Sequence, residues 1–391
     1  MWKRKEPDYG DTLKASYAGY VTQAVVNNLA PLLFLIFQES YGISFQKITL
    51  LISLNFGIQL IVDLISAAAV DRIGYRKSVV FAHIMSAAGI STMALVPGYG
   101  GLMTAVILYA VGGGLIEVLL SPIVEACPTQ KKSASMSVLH SFYCWGHVIV
   151  VVGTTLFFSV AGKEHWKLLC LLWALIPACN AFQFARVPIR SLKEEESHNF
   201  WRQWMSGKLF WTFALWMVCS GASEQAMGQW ASAFAESGLK MSKAAGDLAG
   251  PCLFAALMGV SRIFYARFSD KISLKRFMFL SSGLCLAGYS LASLSLSPVW
   301  ALAGCALCGL SVGILWPGTF SLAAKELPGG GTAMFAFLSL AGDLGCLAGP
   351  AVVGITADTC GTLQGGFLAA ALFPILLFVG VLLTNNSLAG S

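Results

Sequence analysis

Glu117 lies near the middle of the apolar run 101–126, just after three consecutive glycines, Gly112, Gly113 and Gly114. A carboxyl withdrawn from water is more readily held protonated, so Glu117 can take up a proton, bind a polar ligand, or serve as a structural hydrogen-bond partner. The glycines let neighbouring helices come close and leave a polar wall open. Glu224 opens a second polar stretch, Glu224-Gln225-Ala226-Met227-Gly228-Gln229-Trp230. At helical spacing, 224, 227 and 228 share one face, and Gln225 and Gln229 share the adjoining one. Asp343 lies between glycines, and Arg262, inside another apolar run, can neutralise it. A pair that breaks and re-forms would gate, and one that does not would only hold the fold together. His140 and His147 are two helical turns apart and suit either proton relay or helix-to-helix hydrogen bonds. The amides Gln23, Asn27, Asn28, Gln225 and Gln229 can bind hydroxyls, while the indoles of Trp145, Trp230 and Trp316 can cover C–H surfaces. That combination fits a hydroxylated, sugar-like solute, although tryptophans also serve as anchors at membrane interfaces.

The elements that must carry these groups follow from composition. With 57% apolar and 11% charged residues and a mean hydropathy of +0.72, the chain has too little polar surface for a water-soluble globule. Lipid supplies the solvent, and every backbone polar group must then be paired internally. Long continuous apolar runs exclude the alternating pattern of a barrel. The expected fold is all-α, with spans near 13–37, 46–70, 78–97, 101–126, 134–161, 166–187, 208–235, 245–268, 277–297, 299–324, 331–357 and 363–384. With the N-terminus inside, nineteen of the 25 Lys and Arg fall on the cytoplasmic side and five outside. The positive-inside rule therefore places both termini in the cytoplasm of a multi-pass cell-membrane protein. The formal charge of +6 reads as a topology signal, and no nucleic-acid partner is expected. Met1 to Lys14 has no apolar core of its own, so no cleaved leader is expected there. Eleven scattered cysteines suit small packing residues; Cys305 and Cys308 form an isolated CxxC inside a span.

Two copies of one charged motif lie 199 positions apart: Asp71-Arg72-Ile73-Gly74-Tyr75-Arg76-Lys77 and Asp270-Lys271-Ile272-Ser273-Leu274-Lys275-Arg276. At the same offset Ala134 to Gly146 overlies Ala333 to Gly345. The chain divides into a first six-helix bundle over 1–187, a polar linker over 188–207 and a second bundle over 208–391. Two such halves can rock about a central cavity and expose it alternately to either side. Asp71, Arg72, Gly74, Arg76 and Lys77, with Asp270, Lys271, Lys275 and Arg276, either latch helix ends together in one state or simply stop helices at the interface.

These residues resemble the major facilitator superfamily, whose loop between spans two and three reads approximately G-x-x-x-D-R-x-G-R-[KR]. Asp71, Arg72, Gly74, Arg76 and Lys77 match it, with Ala67 in the first place. A finer resemblance is to the fucose permease branch: Gly112, Gly114, Glu117 and Pro122 fit its fourth-span pattern, with Ser121 in place of asparagine, and Asn27-Asn28-Leu29 opens its first-span pattern. Ala30 and Pro31 follow where the branch has an acid, so Glu224 or Asp343 becomes the natural second carboxylate. The resemblance implies a monomeric secondary carrier for a small polar, sugar-like solute, with no cofactor beyond protons as coupling ion. Glu117, Glu224 and Asp343 would be its proton-coupling residues. Efflux of a drug or metabolite, or uncoupled uniport, remains open on the same fold. A nucleotide-driven pump would need G-x-x-x-x-G-K-[ST] and a metalloprotease H-E-x-x-H; the chain contains neither. An enzymatic role is not expected.

Overall fold

A computed structural model describes residues 9–128, 132–190, 207–268, 271–327 and 331–388. Twelve helices are found among them, in the order and close to the places expected. They are α1 (Gly10–Tyr41), α2 (Phe45–Ile73), α3 (Tyr75–Leu95), α4 (Gly98–Ala126), α5 (Lys132–Ala161), α6 (Trp166–Arg186) and α7 (Lys208–Ala233). The helix α8 runs through Lys243–Asp247, a π turn at Leu248–Cys252 and Leu253–Phe268; then come α9 (Leu274–Leu294), α10 (Pro298–Glu326) and α11 (Gly331–Cys360). The last, α12, is Leu363–Ala370 followed by Leu372–Leu388. Pro374 explains that offset: it cannot donate to the carbonyl of Ala370, and its ring crowds that oxygen.

Helix ends follow local chemistry. Gly42 closes α1 at φ 61°, a conformation costly for other residues, and its N–H reaches Gln38 O at 2.9 Å. Gly74, at φ 92°, makes the turn from α2 into α3. Its repeat mate Ser273 turns the chain at φ −61°, so the two motif copies bend differently.

Among the described residues, eleven helices are long and apolar enough to cross a membrane. The helix α7 is long enough but more polar, and the reason is its surroundings: every residue from Cys219 to Ala233 is buried. A helix that faces protein has no need of an apolar surface. Elsewhere large apolar side chains such as Leu95, Leu156, Val160 and Leu296 stand exposed, as a lipid-facing surface requires. All eleven cysteines are free thiols.

The chain forms two compact units. Unit 1 contains Met1–Leu29, Ile58–Val150 and Ala161–Glu195; unit 2 contains Ala30–Gly57, Val151–Val160 and Glu196–Ser391. In unit 1, α3 packs on α4 and α6, and in unit 2, α9 packs on α10 and α12. The offset of 199 reappears in the crossings. A methyl group at Gly89 would strike Tyr109 N and lie 2.7 Å from Ala105 O; one at Gly288 would lie 2.8 Å from Gly304 O and 2.9 Å from Cys308 N. Gly114 abuts Val62 and Gln59 as Gly313 abuts Ser261 and Met258. Gly146 meets Val21 and Ala24, and Gly345 meets Val218 and Ala222. The core of unit 1 fills in around these crossings with Val79, Ala82, Ile116, Leu120, Leu139 and Phe184.

Alanine at Gly304 would place its methyl 2.6 Å from Gly288 O, so Gly304→Ala is expected to destabilise the protein by about 1–3 kcal/mol. Gly57→Ala, whose nearest neighbour would be Leu347 Cδ1 at 3.9 Å, is expected to leave the melting point unchanged or slightly higher. Thermal unfolding of both variants is the check.

Candidate functional site

Two of the three glycines of α4, Gly113 and Gly114, adjoin the polar network of unit 1. A methyl at Gly113 would lie 2.9 Å from Val26 Cγ1 and 3.4 Å from both Gln23 Oε1 and Gln59 Cδ, so α1 and α2 sit against α4 with nothing between. That proximity brings one carboxylate and three amides into a chain. Gln23 Nε2 donates to Glu117 Oε2 at 3.2 Å and to Gln59 Oε1 at 3.1 Å. Gln59 Nε2 donates in turn to Asn27 Oδ1 at 3.0 Å. Gln23, Asn27 and Gln59 are buried, while Glu117 is half-buried. Gln59 escaped the sequence reading, although it is an amide in the middle of an apolar span.

Other expected residues of unit 1 lie around this chain. Asn28 Nδ2 donates to Ala24 O at 2.9 Å and reaches Tyr143 Oη at 3.4 Å. His140 is exposed and meets the Tyr20 ring edge-on at 5.1 Å; Tyr20 Oη is 3.5 Å from Ser121 Oγ. His147 is buried. Trp145 is exposed on one face of α5 with Val138, Ile149 and Leu156, an apolar stripe on the side of the helix away from His140.

In the charged motifs, Arg76 Nη1 donates to Phe184 O at 3.1 Å and Ala185 O at 2.8 Å, capping the carbonyl end of α6. A cation there complements the helix dipole. At the equivalent place Lys275 pairs with Glu326, at the end of α10, at 3.0 Å. Lys77, Lys271 and Arg276 are exposed. Asp270 lies outside the described residues; Asp71 and Arg72 belong to the last turn of α2, and their side chains lie outside the description as well.

Unit 2 has a different chemistry. Glu224 is 8% exposed, and its Oε2 lies 3.7 Å from Arg262 Nη2. Arg262 Nε also donates to Gly313 O at 3.1 Å. Arg262, which the sequence offers as a partner for Asp343, has an ion pair with Glu224. Asp343 is buried beside Gly342, which with Gly221 forms a slot for the half-buried Trp316 ring. Gln229 Nε2 donates to Gln225 Oε1 at 3.1 Å. Trp230 is wholly enclosed: its ring lies 5.7 Å from Phe34 and 5.9 Å from Phe45, and its Nε1 donates to Pro350 O at 3.0 Å. Trp316 occupies the repeat position of Glu117, so the acid of one half is matched by an indole in the other.

Residues 17–350 carry the sequence pattern of the Major Facilitator Superfamily. The chain belongs to that superfamily. It is 26% identical over 262 residues to the membrane protein MosC of Rhizobium meliloti, a match that spans 66% of this chain and 62% of that relative's length. Among solved structures it is similar to the E. coli fucose:proton symporter FucP, with TM-score 0.67, 17% identity and coverage of 95% of this chain and 98% of that one. It is also similar to a bacterial homologue of the human lysosomal transporter Spinster, caught inward-facing and occupied, with TM-score 0.77, 12% identity and 98% coverage of both. The nucleoside transporter NupG gives TM-score 0.76 at 13% identity, over 95% of this chain and 98% of that one. These likenesses show a shared major facilitator fold, and the chain is a multi-pass membrane protein of that superfamily.

Gln59→Met, which copies its repeat mate Met258, removes the acceptor for Gln23 and the donor to Asn27. It is expected to cost about 1–3 kcal/mol, and combined with Asn27→Leu the loss should be smaller than the sum. Arg262→Met, which strips the cation from beside buried Glu224, is expected to cost about 3–5 kcal/mol, much of it recovered by adding Glu224→Gln. Thermal-shift double-mutant cycles measure both.

Proposed function

We propose that the chain is a secondary active transporter that takes up a small polar, sugar-like solute by alternating access, with protons as coupling ion. The observation that supports this most is the hydrogen bond from Gln23 to Glu117 at the head of the amide chain. Gln23 Nε2 is shared between Glu117 and Gln59. An ionised Glu117 attracts that donor more strongly than a protonated one, so loss of its charge frees Gln23 toward Gln59 and alters what Gln59 and Asn27 offer a ligand. Protonation and solute binding then act on one connected network, which is the condition for coupling.

The proposed solute ligands are Gln23, Asn27, Asn28 and Gln59 with Glu117 and His140 in unit 1, and Gln225, Gln229 and Trp316 in unit 2. Glu224 and Asp343 are the proposed further carboxylates of the proton path, and Arg262 the cation that sets Glu224's charge. Arg76 and Lys275, each bound to a helix end of its own bundle, are the proposed gating contacts. Amides bind hydroxyls in either direction, as donor or acceptor. The names of the fucose:proton symporter and the nucleoside transporter among the structural likenesses support a hydroxylated solute.

The solute is identified first by thermal shift of the purified carrier against sugars, polyols, nucleosides and organic acids, since a ligand of the folded state raises its melting point. In proteoliposomes, Glu117→Gln is then expected to keep solute counterflow while losing accumulation driven by a proton gradient. A variant that still accumulates solute removes Glu117 from the coupling, and flux that ignores the gradient in the unaltered carrier replaces symport by uniport.

A further inference from the structure

Where α8 turns into α9, aromatic rings and cations crowd one short stretch of unit 2. Between ring centroids, Phe264 lies 5.0 Å from Phe268 and 6.0 Å from Phe277, and Tyr265 stacks on Phe277 at 5.3 Å. Phe264 and Phe268 nevertheless remain 44% and 39% exposed. The backbone turns sharply beside them, with Phe268 O accepting from Lys271 N at 2.9 Å and from Ile272 N at 3.0 Å. Arg267, Lys271 and Arg276 are exposed around this turn. Among the described residues none of these three pairs with a carboxylate, while the neighbouring Lys275 is matched by Glu326. With Asp270 counted, the turn still carries more positive than negative charge. The repeat sets this cluster apart: at the places of the four rings the first half has Ile65, Ser66, Ala69 and Ser78, and at the place of Arg267 it has Ala68.

The helix faces that rise from the turn are bare and apolar. Val260, Ile263, Phe264 and Arg267 share one side of α8, at i, i+3, i+4 and i+7, and Val260 and Ile263 are exposed. On α9, Leu280 and Leu284 are exposed about one and two turns beyond Arg276. Cations at the turn, rings beside them and aliphatic side chains beyond follow the order of polarity in a phospholipid: phosphate, glycerol esters, acyl chains. We propose that the α8–α9 turn binds an anionic phospholipid of the phosphatidylglycerol class. Arg267, Lys271 and Arg276 hold its phosphate by charge and hydrogen bonds, the rings lie at the level of its esters, and its chains run along α8 and α9. A zwitterionic lipid brings a cation of its own to a turn that is already positive, and inorganic phosphate has no chains to cover the apolar faces.

The test melts the purified full-length carrier in detergent micelles doped with phosphatidylglycerol or phosphatidylcholine at equal mole fraction. The unaltered carrier is expected to melt about 3 °C or more higher with phosphatidylglycerol, because a ligand of the folded state raises the melting point. The combined Arg267→Gln, Lys271→Gln and Arg276→Gln variant is expected to lose most of that gain. Removal of three exposed cations of unit 1, by Lys77→Gln, Arg186→Gln and Arg190→Gln, is expected to leave it. If the first triple variant does not fold, Arg276→Gln is melted in its place and is expected to reduce the gain. Equal melting of the unaltered carrier in the two lipids overturns the assignment. So does a gain that survives the changes at the α8–α9 turn, a gain lost equally with the unit 1 cations, or a gain of the same size from inorganic phosphate added to phosphatidylcholine micelles. No transported solute enters the measurement, so its outcome is separate from that of the transport proposal.

Discussion

Close approach of helix backbones at glycine is the constraint on which the rest of the structure depends. Between helices in lipid there is no water to expel, so association relies on van der Waals contact and hydrogen bonds, and small residues allow both. Gly89 on α3 and Gly288 on α9 meet the backbones of α4 and α10 directly. On α4, Gly112 does the same toward α3, and Gly114 comes against Gln59 Cα of α2. Gly113 lies against Val26, Gln23 and Gln59, where Gln23, Gln59 and Glu117 come within hydrogen-bonding distance. The polar network is thus a product of the packing.

The two halves keep these crossings and differ in what they hang on them. Positions 199 apart pair Gln59 with Met258, Asp63 with Arg262, Glu117 with Trp316 and Gly74 with Ser273. Each pair joins residues of different character at equivalent sites on the same skeleton. Unit 1 carries an amide chain ending in a carboxylate, and unit 2 an arginine–carboxylate pair beside an indole in a glycine slot. A duplicated scaffold supports this asymmetry because crossings at glycine constrain backbones and leave the inward side chains free to vary.

Most of the fold could be read before any coordinates. Apolar runs placed all twelve helices, and the repeat placed Gly146 over Gly345, which do occupy matching crossings. The site was less legible. Glu117 drew attention because an isolated acid in an apolar run is costly, whereas Gln59 did not, since an amide costs less and its partners lie on other helices, 32 and 36 residues away. Lys243 and Asp247, paired at 2.9 Å, have the i, i+4 spacing of a helical ion pair, but Lys243 precedes the apolar run 245–268, so hydropathy alone does not include it in the helix. Aromatic identity alone said little about location. Trp230 is sealed between Phe34 and Phe45, Trp145 faces outward, and Trp316 lies half-covered, yet all three are tryptophans in spans.

The polar, enclosed helix α7 has a consequence for how the chain reaches its membrane. Side chains such as Glu224, Gln225 and Gln229 make this segment a poor candidate for partition into lipid by itself, because each polar group left facing hydrocarbon raises the free energy of insertion. Its main packing partner, α11, is synthesised more than a hundred residues later. The cover that encloses these groups in the folded chain is therefore complete only once α11 has been made.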